Sequence, residues 1–286
     1  MKTLKTAFLL TALTLLLILG GEALGGRRGM TLGLAIAVVM NGVAYFFSDK
    51  IALRSAQAEA VTREQAPRLY AVMERLAGKA GLPMPKLYVS PQAAPNAFAT
   101  GRNPHHAAVC VTAGLMQIMN DDELEGVIAH ELSHVRNYDI LTSSIAATIA
   151  GAITWVAEMG RWGLIFGGYG GGRDGGEGEG NAITAILMLI LAPIAALLLQ
   201  LGISRQREYQ ADASGVKMVG HPYGLISALQ KLEDYNKKIP MAISPSTAAL
   251  CIVAPLQGRQ MLANLFSTHP PLDQRIEILK NMQITR

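Results

Sequence analysis

Two histidines, His130 and His134, stand four residues apart, and Glu131 directly follows the first. On an α-helix that spacing is about 6 Å of rise and about 40° of rotation, so both imidazoles project from one face. Two imidazoles so placed can share one Zn²⁺ and leave room for a third ligand and a water. Glu131 can reach that water without binding the metal. Zinc brings the pKa of such a water toward about 7, so a neighbouring carboxylate can take its proton during attack on a peptide carbonyl. A polar helix face with two solvated histidines has the same spacing. Two features count against it. Val127, Ile128, Leu132 and Val135 give the segment apolar packing, and Asn120 with Glu123 forms a reciprocal helix start ahead of it.

A second acidic element supplies what the first lacks. Glu208 and Asp212 form another i, i+4 pair. Glu208 reads as a third ligand or as a surface residue of a charged helix beside Arg207. Asp212, one turn on, is placed to accept a hydrogen bond from the non-ligating nitrogen of a zinc histidine and fix its tautomer. Glu208 lies 74 residues after His134, a long gap for one site. Most of that gap is apolar and can form an antiparallel hairpin, which returns the chain to the membrane face it left.

The elements that must position these residues are membrane spans. The chain is 50% hydrophobic and only 16% charged, against about 25% charged in ordinary soluble domains. A spanning helix needs roughly 20 apolar residues. Four runs approach that length, at 7–21, 30–47, 140–157 and 182–203. The first has the basic start and short core of a signal peptide as well, but a second span follows almost at once. The third and fourth either cross as a hairpin or stay on the protease side, packed against it. Lys2, Lys5, Lys50, Arg54, Arg63, Arg68, Arg75, Arg136, Arg205 and Arg207 fall on one side if all four cross, which puts both termini and both long polar stretches in the cytoplasm. Arg27 and Arg28 dissent. The Gly-rich stretch 167–180 reads as a flexible tether.

The polar stretches predict a helix over 62–79 with Leu69, Val72, Met73 and Leu76 inward, stopped by Gly81. Strands are expected at 86–90, 96–100 and 107–112, then the zinc helix, and later helices over 223–238 and 272–281. The segment 240–257 is apolar and carries no readable role. Asn41 and Gln200, inside spans, are expected as inter-helix hydrogen-bond partners. Cys110 and Cys251 fit no metal or disulfide spacing and read as buried free thiols. His105, His106 and His221 read as turn residues. A net charge of +4 without a basic stripe argues against nucleic acid. No charged residue lies inside a span, which argues against a transporter.

HELSH (130–134), SRQREYQAD (204–212) and PNAFATG (95–101) together resemble the HtpX-type membrane proteases, part of the group that includes the CAAX-prenyl endopeptidases. The resemblance covers nearly the whole chain. It implies a mainly helical α+β fold, a gluzincin-type zinc protease domain with a small β-sheet plus four transmembrane helices in two hairpins. The segments are then 1–49 and 140–203 as membrane hairpins, with 50–139 and 204–286 as two parts of the protease domain. It implies one Zn²⁺ per chain on His130, His134 and Glu208, with Glu131 as general base and Asp212 behind the ligands. Asn96, Ala97, Phe98 and Ala99 would edge the cleft, where an extended substrate adds by main-chain hydrogen bonds. Apart from the resemblance, His269, in Thr-His-Pro-Pro, reads either as a group that stabilises the oxyanion or approaches the zinc at rest, or as a loop histidine before a Pro-started helix. The partners implied are protein substrates, chiefly membrane proteins, and the lipid bilayer of the bacterial inner membrane. A prenyl-protein processing role would need a large enclosed chamber, for which four spans are few. A non-catalytic scaffold would have shed Glu131 or a ligand, and none is lost.

Overall fold

The structure is a computed structural model and describes residues 2–167, 205–236, 250–252 and 270–282. The expected fourth run, most of the Gly-rich stretch, Gln200, His269 and most of 240–257 lie outside the described residues.

The chain opens with α1 (Lys2–Ser55), which Gly26 interrupts at φ +56, a left-handed conformation suited to glycine. The two arms, Leu4–Glu22 and Gly26–Ser55, are each long and apolar enough to cross a membrane. They fold back on one another. Asn41 of the second arm donates its Nδ2 to Thr14 Oγ1 at 2.8 Å and to Leu10 O at 3.3 Å in the first, the inter-helix role expected of it. Leu15, Leu19, Leu32, Val38, Val39 and Phe46 stay exposed on the hairpin, an apolar coat of the kind a bilayer covers.

A four-stranded sheet follows, β1 (Glu59–Ala60), β2 (Lys86–Ser90), β3 (Ala97–Gly101) and β4 (Ala107–Thr112), in the order β1-β2-β4-β3. β2 and β4 run parallel; the other pairs are antiparallel. The period-2 alternation of strands sorts the side chains by face. Leu87, Ala97, Ala99, Val109 and Val111 join the main core, while Phe98, Ala108 and Cys110 pack on Ala52 and Leu53 at the foot of the hairpin. β3 is an edge strand.

Helix α2 (Pro67–Ala80) buries Leu69, Val72, Met73 and Leu76 as the periodicity predicts, and Gly81 ends it at φ +64. It starts five residues later than expected. Thr62 and Gln65 close a turn instead, Thr62 N–H donating to Gln65 Oε1 at 2.8 Å, and Pro67 takes the first helical turn, where its missing N–H does no harm. A short helix α3 (Ala113–Ile118) and strand β1 were not predicted; both are too short to carry a period.

The central helix α4 (Asp121–Arg136) has the capping box read from Asn120 and Glu123, with bonds of 2.9 and 2.8 Å. Glu123 is more than a cap. Its buried carboxylate also takes Lys231 Nζ at 2.7 Å and the Ser227 hydroxyl at 2.6 Å, tying α4 to α7 (Tyr223–Asn236). Between them come α5 (Asp139–Gly167), which opens the third apolar run, and α6 (Arg205–Val219). Helix α5 packs Ile145, Ala146 and Ile149 on Leu9 and Leu13 of the hairpin, and Thr142 shares a buried 2.9 Å hydrogen bond with Thr6. Last is α8 (Leu272–Lys280).

Burial alone would raise the Glu123 pKa, but Lys231, Ser227 and the Asn120 N–H outweigh it and hold the carboxyl below its ordinary value. A folded pKa below the unfolded one means the stabilisation is present at neutral pH and disappears as the pH falls through the lowered value. Glu123→Ala is expected to cost about 2 kcal/mol at pH 7. The gap to wild type in thermal unfolding should close as the pH is taken below the carboxylate range.

Candidate metal centre

The two histidines lie on the inner face of α4, and α6 brings Glu208 to them. The approach depends on Gly215. A Cβ there would stand 3.1 Å from the His130 amide nitrogen and 3.2 Å from the Ala129 carbonyl carbon. A bare backbone at this crossing lets α6 lie close enough to α4 for a glutamate side chain to span the gap.

Three donor side chains converge. His130 Nε2 and His134 Nε2 are 3.2 Å apart, Glu208 Oε2 is 3.6 Å from the first, and Glu208 Oε1 is 3.4 Å from the second. A tetrahedral ion with bonds of about 2.0–2.1 Å keeps its ligand atoms about 3.3 Å apart. The separations and the two-imidazole, one-carboxylate donor set both fit Zn²⁺. Among the described residues, this is the group of histidines, cysteines and carboxylates that could hold a metal ion. Glu131 is 2% exposed and lines the same cleft, with Ala99 of β3 on its wall.

Behind the donors is a network that the sequence reading caught only in part. His130 Nδ1 donates to Asp212 Oδ1 at 2.8 Å, which leaves Nε2 as the ring nitrogen turned to the other donors. Asp212 in turn receives Arg275 Nε at 2.9 Å and Nη2 at 2.7 Å, a forked pairing. Arg275 is 0% exposed; its Nη1 donates to Ile252 O at 2.9 Å and comes within 3.9 Å of Glu208 Oε2. Sequence reasoning missed Arg275. In its heptad of α8 it looks like any arginine of an amphipathic helix, and only its pairing partners, far away in sequence, mark it.

Burial alone would lower the His130 pKa and raise that of Asp212. At His130 the Asp212 and Glu208 carboxylates outweigh burial and draw the pKa up to about 9. At Asp212 the Arg275 guanidinium outweighs it and holds the pKa down to about 2. A metal held at His130 would compete with a proton there.

The β3 residues separate by role. Thr112 N–H donates to Asn96 O, so alternation along the ladder turns the main chains of Asn96, Phe98 and Thr100 to β4. Those of Ala97, Ala99 and Gly101 face the outer edge. There Ile252 N–H donates to Ala97 O at 2.9 Å. Cys251 also lines the cleft, and burial raises its thiol well above the ordinary range. Both cysteines are buried thiols outside any disulfide, as expected. His105 and His106 sit on an exposed turn, and His221 stacks on Tyr223 before α7.

The family model described as "Peptidase family M48" matches residues 63–283. The chain belongs to peptidase family M48. It is similar to the "Protease HtpX homolog" of Desulfatibacillum aliphaticivorans, with 54% identity over 272 residues, 95% of this chain and 87% of that one. The protein of the same description from Syntrophotalea carbinolica is 50% identical over 285 residues, covering 99% of this chain and 100% of that one. Among solved structures, that of S. mikatae Ste24p matches with a TM-score of 0.53 at 20% identity over 97% of this chain, which spans 64% of the length of that one. At that identity the likeness shows the fold. This M48 peptidase is a metalloprotease, a hydrolase of a zinc-dependent, membrane-associated family.

Arg275→Met would leave Asp212 buried without its counter-ion, a defect of about 3–5 kcal/mol. Arg275→Lys should not restore it, because one ammonium cannot serve both Asp212 oxygens and Ile252 O. Zinc content and thermal unfolding of the purified variants would check both. Zinc uptake at pH 7 should also release protons, with His130, whose pKa is raised, among their sources, measurable by titration calorimetry in buffers of different ionisation enthalpy.

Proposed function

We propose that this chain is a zinc endopeptidase of gluzincin type that cuts misfolded or damaged membrane proteins at the cytoplasmic face of the bacterial inner membrane. The observation that carries the reading is the convergence of His130, His134 and Glu208 on one point, beside Glu131, in a cleft walled by an edge strand.

In this reading His130, His134 and Glu208 hold one zinc ion per chain, and Asp212 orients His130. Bound zinc supplies a Lewis acid and lowers the pKa of a water held beside it. Glu131 takes the proton of the attacking water and delivers it to the leaving amine. The outer edge of β3, at Ala97 and Ala99, lays the substrate out as an added strand, with Asn96 and Phe98 anchoring that strand to β4. His269, just ahead of α8, serves as oxyanion partner or resting-state ligand; its support is that α8 already sends Arg275 to the site.

The chain then divides into membrane hairpins at 1–49 and 140–203 and a protease domain assembled from 50–139 and 204–286. One apolar core containing Leu69, Val109, Ile128, Leu229 and Leu279 supports a domain built from both polar stretches. The packing of α5 on the first hairpin supports the third run as a companion to it. Four spans keep the cleft near the bilayer, within reach of peptide bonds close to its surface.

Glu131→Gln should abolish cleavage of an unfolded membrane protein by the detergent-purified chain while leaving zinc bound, and a chelator should abolish it in the wild type. Cleavage by E131Q at the wild-type rate would sink the mechanism. Glu208→Ala should lose zinc itself; full, tight occupancy there would remove Glu208 from the ligands. Orientation has its own check, in a background with Cys110 and Cys251 replaced. A cysteine at Glu22 should label from the periplasmic side of intact cells. A cysteine at Gln57 should label only once the inner membrane is opened.

A further inference from the structure

His130 has a carboxylate and an arginine behind it, and the structure holds a second such chain behind His134. The Nε2 of His134 faces His130 and Glu208, so its Nδ1 points away from the donor cluster. Opposite that Nδ1, at 3.6 Å, is Asp139 Oδ2. The other oxygen, Asp139 Oδ1, is 3.4 Å from Arg207 Nε. Asp139 is 3% exposed, and the Arg207 side chain 11%. We propose that Asp139, with Arg207 as its counter-ion, is the positioning residue for His134 in the metal centre. The inference rests on the reading of His134 as a ligand.

An acidic residue at the start of a helix has a bland explanation, since the helix dipole favours it there. Asp139 opens α5, but its surroundings ask for more. A carboxylate serving only the dipole can stay in water, whereas this one is buried and needs a cation. Arg207 provides it, and Arg207 directly precedes Glu208 on α6. One turn of α6 thus delivers both a ligand and the counter-ion of the group behind another ligand.

The backbone makes the same point. Helix α4 ends two residues after His134, and Tyr138 then takes φ +58 before α5 begins. Left-handed φ is uncommon for a bulky residue with a Cβ and persists only where the surroundings enforce it. That residue reverses the chain so that the next, Asp139, comes back beneath the imidazole it has just passed.

The chemistry is that of a carboxylate on the back of a zinc histidine. Asp139 holds the proton on Nδ1 and keeps the Nε2 lone pair directed at the metal. The 3.6 Å separation is longer than a made hydrogen bond and is an ion-pair-range contact.

The test uses the full-length chain in detergent and measures zinc affinity by competition with a chromophoric chelator between pH 6.5 and 8, beside the visible spectrum of the cobalt-loaded protein. Asp139→Ala should weaken zinc by about 10–100-fold and shift the cobalt spectrum. Asp139→Asn, whose amide oxygen still accepts from Nδ1–H, should fall between it and wild type. Arg207→Met should weaken zinc in the same direction. Wild-type affinity and an unchanged spectrum in D139A and D139N would overturn the proposal, as would losses confined to the thermal stability of the chelator-treated protein. His134→Ala separates the two layers. If it also keeps tight zinc, the ligand assignment fails together with what rests on it. If it loses zinc while D139A does not, only the role of Asp139 fails.

Discussion

A guanidinium with none of its surface in water sits at the centre of this molecule. Arg275 can be there because Asp212 meets it with both oxygens and Ile252 supplies a carbonyl. Each of those partners depends on another element. Asp212 faces His130 only because α6 lies against α4, and Ile252 is in reach only because it rests on β3. The orientation of the first histidine, the packing of α8 and the edge of the sheet are thus linked through one side chain. Removing a partner from such an arrangement leaves a buried charge uncompensated, which is far worse than losing a surface ion pair. The site is held in shape by groups that do not touch the reacting atoms.

How much of this the sequence discloses follows the range of the interaction. Asn120 and Glu123 declare the start of α4 within four residues, Gly81 declares the end of α2, and β2 and β4 fall where alternation and turn residues put them. His130, Glu131 and His134 are legible because their spacing is a helical face. Glu208 and Asp212 repeat the spacing, though nothing local joins them to α4. Arg275 and Asp139 are illegible for the same physical reason. One looks like a surface charge and the other like a helix opener, and their burial is decided by elements that meet only in the folded chain. Residues 62–66 went the other way. Periodicity carried the helix through them, and the local chemistry of Thr62, Gln65 and Pro67 overruled it.

The membrane hairpin is joined to the protease rather than appended to it. Leu9 and Leu13 share a core with Ile145 and Ile149 of α5, Thr6 is bonded to Thr142, and the foot of the second arm packs under Phe98 and Cys110 of the sheet. Helix α5 begins at Asp139, right after the turn that follows His134. The fold therefore offers a continuous path of packed side chains from apolar surface to the donor atoms, with no flexible linker between them among the described residues.

If β3 receives the substrate as proposed, the bond from Ile252 N–H to Ala97 O bears on how a peptide would be held. A peptide laid along β3 finds the Ala97 carbonyl already engaged, and the next outward-facing main chains on that strand are those of Ala99 and Gly101. Main-chain hydrogen bonds contribute about 1 kcal/mol each after competition with water, so so short a register binds a freely diffusing peptide weakly. A chain anchored in the same bilayer is different, because confinement raises its effective concentration at the cleft without a single added contact. On that proposed reading, a short edge would favour substrates by where they are tethered more than by what sequence they carry.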